Sequence, residues 1–251
     1  MIKIFKSNTV LLIIVIIVTS FKSSEFISDQ KKSERVKKAY NEKSDLLKKE
    51  LLNKGISFDQ INVLFVAYKS EQLIDVYAKN KSDIRYEKIH SYNVCAKSGK
   101  LGPKRRSGDY QVPEGFYHIE RFNPSSRFYL SLGVSYPNQS DRIKSKASNL
   151  GGDIFIHGNC LTIGCMPMTD DKIKEIYIYA LQAKESGQVK IPVYIFPFKM
   201  SNINYNAYCE SYKKQPDLIP FWSNLKIGYD RFFKEQMELN IKINNKGDYE
   251  F

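Results

Sequence analysis

Asp153 to Asp170 reads D-I-F-I-H-G-N-C-L-T-I-G-C-M-P-M-T-D. The apolar run Ile154-Phe155-Ile156 predicts a buried strand ending at His157-Gly158. A tight loop closes on Gly164-Cys165, and Thr169-Asp170-Asp171 opens an amphipathic helix, with a side-chain cap and two acidic groups at its positive end. A histidine at a strand end and a cysteine eight residues later therefore share one bracketed loop. That pattern suits thiol chemistry, because a thiol becomes a good nucleophile when a neighbouring imidazole takes its proton. Gly164 lets the backbone turn freely and aim amide N–H groups at a developing oxyanion. Two plainer readings compete. One is a buried thiol near a core histidine. The other is a metal set of His157, Cys160 and Cys165, for which no second paired set of ligands exists, so no metal and no cofactor are expected.

Upstream, Lys97 to Tyr117 reads K-S-G-K-L-G-P-K-R-R-S-G-D-Y-Q-V-P-E-G-F-Y. Together with His157-Gly158 and Thr162-Ile163-Gly164-Cys165 it resembles the L,D-transpeptidase (YkuD-type) catalytic domain family, and within that family the YafK-like murein branch. The short His-to-Cys spacing, the G-P-K run and Pro197-Phe198-Lys199-Met200 carry the second resemblance. It spans roughly Asn62 to Asp230. The resemblance implies an α+β fold: a β-rich catalytic domain of mixed sheets with a helix after the nucleophile loop. It implies Cys165 as nucleophile and His157 as base, with Gly158 orienting the imidazole and Gly164 contributing to the oxyanion site. The chain departs from the family pattern at Ile163, where a second histidine is usual, and at Met166-Pro167-Met168, where an arginine is common. The second departure puts the family's usual acyl-donor contacts in doubt. Lys97, Lys104, Arg105 and Thr162 are the expected substrate-binding groups.

The remaining chain reads as follows. Gln30 to Asn53 has Val36, Tyr40, Leu47 and Leu51 on one face and predicts a basic amphipathic helix. It is either laid on the catalytic domain, the favoured reading, or free to dock on a membrane or partner. Ile61–Tyr68 and Leu73–Lys79 read as a hairpin, followed by strands at Tyr86–Ala96, Gly115–Arg121, Phe128–Val134 and Val189–Phe196, with Pro192 suited to an edge or a strand start. Pro137–Leu150 reads as an irregular link and a lid over the cleft. Asn202–Lys213 and Pro220–Met237 read as helices, Trp222 as a core group rather than a sugar platform, and the tail beyond Asn240 as frayed. The expected division is 1–24 a signal peptide or N-terminal anchor, 25–57 an amphipathic helix and spacer, 58–200 the catalytic domain, and 201–251 a helical C-terminal extension packed on it.

Lys3 and Lys6 precede the apolar run Val10 to Val18, an export signal too short for a confident membrane span. The chain is expected in the periplasm or cell envelope, touching a membrane only through an uncleaved N-terminal segment. Its net charge of +12 suits anionic neighbours, and export argues against nucleic acid. Export also permits disulfides. With Cys165 kept free, at most one pair forms among Cys95, Cys160 and Cys209. The sequence leaves the choice open, Cys95–Cys160 being the first expectation because both flank the proposed site.

The function expected from the resemblance is an exported cysteine acyltransferase that forms a thioester with a diaminopimelate-containing peptidoglycan stem peptide and passes it to an amine. This is a role in wall biogenesis or degradation and in cell shape. The same site serves as a hydrolytic amidase or carboxypeptidase if water is the acceptor, for example releasing a wall-linked lipoprotein. A third reading is an inactive wall-binding module with Cys165 locked in a disulfide.

Overall fold

The computed structural model describes residues 25–251, so the export signal expected at Val10 to Val18 lies outside the described residues. Residues 25–32 are helical, and the elements that follow are α1 (Glu34–Leu52), β1 (Ile61–Tyr68), β2 (Leu73–Asn80), β3 (Glu87–Asn93), β4 (Gly115–Asn123), β5 (Ser131–Val134), α2 (Gln139–Lys144) and β6 (Ile154–His157). Then come β7 (Met166–Pro167), α3 (Asp170–Glu185), β8 (Pro192–Phe196), α4 (Asn202–Ser211), α5 (Leu218–Glu235), β9 (Lys242–Ile243) and β10 (Tyr249–Glu250). This is the expected α+β class. The strands form one curled eight-stranded sheet in the order β3-β2-β1-β8-β4-β5-β6-β7, plus the small β9-β10 hairpin.

Strand side chains alternate between faces, and here both faces of the central strands are apolar. On β1, Val63, Phe65 and Ala67 enter one core while Leu64, Val66 and Tyr68 enter a second. Val193 and Ile195 of β8 join the first, Tyr194 and Phe196 the second. The first core is covered by α1 and α3. Ile173, Ile176, Ala180 and Leu181 of α3 are fully buried there, with Val36, Leu47 and Leu51 of α1 stacked over them. So α1 lies on the domain, and its apolar face is not free for a membrane or partner. Lys43 ties it to Asp171 and Glu175, and Glu50 accepts from Tyr179. Among the described residues no helix is long and apolar enough to cross a membrane.

The second core is covered by α4, α5 and the tail. It contains no residue of β5, β6 or β7. Half the sheet is therefore two-sided and half carries a helix layer on one face only.

Three expectations change. Pro137–Leu150 is not a lid. Asn138 and Asp141 close a reciprocal capping box on α2, and Asp141, 1% exposed, is bound to Arg105 and Tyr117. Ser140 and Lys144 fasten the same helix to the tail. The tail is not frayed. Tyr249 is 3% exposed, Asn224 bonds both its N–H and its C=O, and the Phe251 ring packs where Gly228 has no Cβ. Pro192 does start its strand, but β8 is central rather than at an edge.

One polar node joins the layers. Glu114 is fully buried and accepts from Lys69 at 2.9 Å, from the Gly102 amide at 2.6 Å and from the Trp222 indole at 3.0 Å. Lys69 gives its other two protons to Gly102 O and Val112 O. A buried charge stripped of its partner is costly, whereas replacing both partners by apolar groups often is not. Glu114→Ala is expected to lower stability by about 3–5 kcal/mol in urea unfolding, and Lys69→Met with Glu114→Leu to lower it less than either single change. A double variant no better than the singles would show that the pair is not a coupled unit.

Candidate active site

β6 and β7 run parallel, with Ile156 opposite Met166 and His157 opposite Pro167. Ile156 and Met166 both point into the first core. By the two-residue pleat, His157 and Cys165, the residue just before β7, lie on the opposite face, where the C-terminal layer does not reach. Opposite them β5 carries small groups: Ser131 pairs with His157 and Gly133 with Phe155. The structure therefore brings the two expected catalytic residues onto one sheet face, two positions apart in register.

His157 is 2% exposed. Its Nδ1 lies 2.5 Å from Gly158 O, which fixes the tautomer: Nδ1–H donates and Nε2 keeps its lone pair. The Phe128 ring stacks on the imidazole at 4.6 Å. Burial lowers the imidazole pKa from its ordinary value, against the Gly158 carbonyl, which raises it. The resting ring is neutral and able to accept a proton. Gly158 is obligatory here, since a Cβ would sit 2.6 Å from Asp170 Oδ1 and 2.7 Å from Phe128 O.

Cys165 is a free thiol of intermediate exposure. Burial raises its pKa and the Asp153 carboxylate adds to that, while the Phe155 amide and the Lys104 charge pull the other way. The thiol is thus protonated at rest, and it donates to Asp153 O at 3.5 Å rather than to the imidazole. Gly164, at φ +134°, turns the chain into Cys165 against the backbone of Gln111.

Thr162 sits differently from expectation. Its Oγ1 accepts from the Cys165 amide at 2.9 Å and the Gly164 amide at 3.2 Å, and donates to Cys165 O at 2.8 Å. It braces the nucleophile turn rather than facing a ligand, and it engages the two amides expected to hold an oxyanion.

Cys160, in the loop between the two residues, is bonded to Cys95, with Cα atoms 5.5 Å apart, while Cys165 and Cys209 are free. The disulfide takes Cys160 out of any metal set and out of a bridge to Cys165. Cys95 also donates from its amide to Pro167 O of β7. The chain just past the first edge strand, β3, thus meets the last strand, and the curled sheet closes on itself beside Cys165.

A narrow cleft of about 30 Å³ opens at this seam, lined by Ala67, Tyr68, Val94, Lys97, Val112 and Cys165 among others. Of the expected substrate cations, Lys97 borders it and is exposed. Lys104 does not serve that role: it is 5% exposed and bound to Asp109 and Arg106 O. Arg105 is bound to Asp141 and lies over the Phe221 ring. Sequence reasoning missed Lys69, Glu114 and Asp141. Their side-chain partners lie 24 to 45 residues away in sequence or further, so no local pattern marks them.

The YkuD family model, the L,D-transpeptidase catalytic domain, matches residues 62–195. The chain is 36% identical over 180 residues to the Escherichia coli (strain K12) protein described as "Putative L,D-transpeptidase YafK", covering 71% of this chain and 69% of that one. Among solved structures, the helical cell shape determining protein Pgp2 of Campylobacter jejuni aligns with a TM-score of 0.44 at 20% identity over 74% of each chain. Mycobacterium tuberculosis L,D-transpeptidase 1 aligns at 0.30 and 15% identity, over 54% of this chain and 62% of that one. On its family match and its identity to a curated relative, the chain belongs to the YkuD L,D-transpeptidase catalytic domain family.

Proposed function

We propose that the protein is an envelope cysteine acyltransferase that remodels peptidoglycan, with Cys165 as nucleophile and His157 as base. The observation that carries this reading is a free thiol at a cleft, on the same sheet face as a neutral histidine whose Nδ1–H is anchored, which leaves the Nε2 lone pair to accept a proton. The thiol first turns from Asp153 O to the imidazole, a tightening that catalytic hydrogen bonds often reach only with substrate bound. Its proton passes to Nε2 as the sulfur adds to the carbonyl of a diaminopimelate residue in a stem peptide. The C–N bond then breaks, the imidazolium protonates the departing amine, and a thioester remains. An amine of a second stem attacks the thioester and regenerates the thiol. For the Gly164 and Cys165 amides to serve the oxyanion, Thr162 Oγ1 must release them. The basic, apolar leader read at the N-terminus is what delivers the chain to the envelope.

Intact-mass analysis of protein incubated with isolated muropeptides is expected to show a covalent acyl adduct, absent in Cys165→Ala although that variant keeps the fold. An undiminished adduct or turnover in Cys165→Ala would overturn the assignment. The products tell the acceptor: crosslinked dimers mean an amine, trimmed monomers or released lipoprotein mean water.

The pH dependence follows from the site. His157 acts as base only when neutral, so acylation falls as pH drops through the imidazole pKa. Burial holds that below its ordinary 6.5, and the acid limb of acylation is expected below pH 6.5. Phe128→Ala lets water reach the ring and is expected to move the limb upward. An acid limb that stays put in Phe128→Ala would show that His157 is not the titrating base.

A further inference from the structure

The imidazole of His157 is covered by a loop that a distant part of the chain holds in place. Residues 124–130 join β4 to β5, and within them Phe128 stacks on the imidazole at 4.6 Å while remaining 38% exposed. The Phe128 amide donates to Ser126 Oγ inside the loop, which leaves one strained residue to account for. Tyr129 sits at φ +69°, a left-handed angle that aromatic residues seldom adopt. Such a conformation persists only where the surroundings impose it. Here helix α1 does so. Nη1 of Arg35 donates to Ser126 O and to Tyr129 O, both at 2.6 Å, so the carbonyls that bracket Phe128 are tied to one guanidinium. The same guanidinium lies over the Tyr129 ring at 5.5 Å, and the Lys174 ammonium of α3 lies over that ring at 5.8 Å. Ahead of α1, Phe26 packs edge-on against Phe122 at the end of β4, 5.5 Å away. The loop is also pressed against the strand end. Leu130 O accepts from the Gly158 amide, and Phe128 O lies where Gly158 has no Cβ. A shift of the loop is therefore felt at His157.

We propose that Arg35 is a positioning residue for acylation: it clamps the carbonyls of Ser126 and Tyr129 and so keeps Phe128 packed on His157. This inference rests on His157 as the base. Arg35 acts through the loop backbone and not on the reacting atoms. Without the clamp, Tyr129 leaves the left-handed region, Phe128 swings off the ring and water reaches the imidazole. Burial, which holds the imidazole below its ordinary pKa, is then partly lost, and the pKa rises. Among the described residues the imidazole responds to burial and to the Gly158 carbonyl, and to no charged side chain. On α3 the Asp170 carboxylate accepts from the Asn159 amide, beside β7 the Cys165 thiol keeps its proton, and within the loop Arg127 is exposed. The N-terminal helix is thus a working part of the site rather than a spacer laid on the domain.

The test titrates His157 by NMR in the full chain with labelled histidines, its signal assigned by comparison with His157→Gln, beside the pH profile of adduct formation with muropeptides. Arg35→Ala is expected to move the imidazole pKa up toward 6.5, with the acid limb of acylation following it. The plateau rate is expected to fall about ten- to a hundredfold, the scale of a catalytic group displaced by about 1 Å. Arg35→Lys keeps a cation with donors for both carbonyls and is expected to restore most of the pKa and the rate. In Phe128→Ala the pKa is already raised, and adding Arg35→Ala is expected to move it no further. A pKa that stays in place in Arg35→Ala would overturn the proposal. So would an Arg35→Ala shift that persists undiminished in Phe128→Ala, because that is a direct charge effect and not a clamp on the loop. A pKa that rises while the acid limb of acylation stays where it was would instead sink His157 as the base and leave the clamp standing.

Discussion

The site depends on how a curled sheet is closed. The two ends of the strand order meet through one backbone hydrogen bond, from Cys95 to Pro167, and one covalent link, from Cys95 to Cys160. Cys160 belongs to the loop that joins His157 to Cys165, so the closure also fixes that loop. A cross-link of this kind acts mainly by removing conformations from the unfolded and loop-open ensembles. The remaining freedom is taken up locally. Thr162 ties the turn to Cys165, Gly158 lets α3 approach within contact of the strand end, and Gly164 supplies a backbone angle that other residues rarely adopt. The face that carries His157 and Cys165 lacks the C-terminal layer because the second core stops at β4 and β8.

The protein divides its cations by burial. Lys69, Lys104 and Arg105 carry charge into the body of the fold and are each met by a carboxylate there. Glu114 then links the substrate-side loop to Trp222 of the C-terminal layer, so residues 201–251 are joined to the cleft through two side chains rather than hung beside it. Lys97 and Lys100 remain outside this network. A count of positive charge in the loop cannot separate the two groups. Position relative to an acidic partner does.

Much of this was legible in the sequence because the relevant signals are local. The hairpin of β1 and β2 was given by its flanking turn, α3 by its cap and 3.6-residue face, and the nucleophile loop by two glycines and a family resemblance. What was missed depends on distant partners. The tail looked frayed because its composition is polar, yet Tyr249 and Phe251 find a pocket on α5. The 137–150 link looked mobile because its letters are polar, yet Asp141 is buried against an arginine 36 residues away. Thr162 looked like a ligand group, and only the turn geometry shows its hydroxyl committed to its own loop.

A thiol kept protonated at rest has a further consequence. Oxidants, electrophiles and exchanging disulfides attack the thiolate, so a sulfur whose proton is retained by burial and by Asp153 reacts slowly with all of them. Cys165 lies five residues from a cystine, in a loop that would otherwise invite scrambling. Withholding ionisation gives that sulfur chemical durability. In its resting geometry Cys165 is shielded against the reagents that would consume an ionised sulfur.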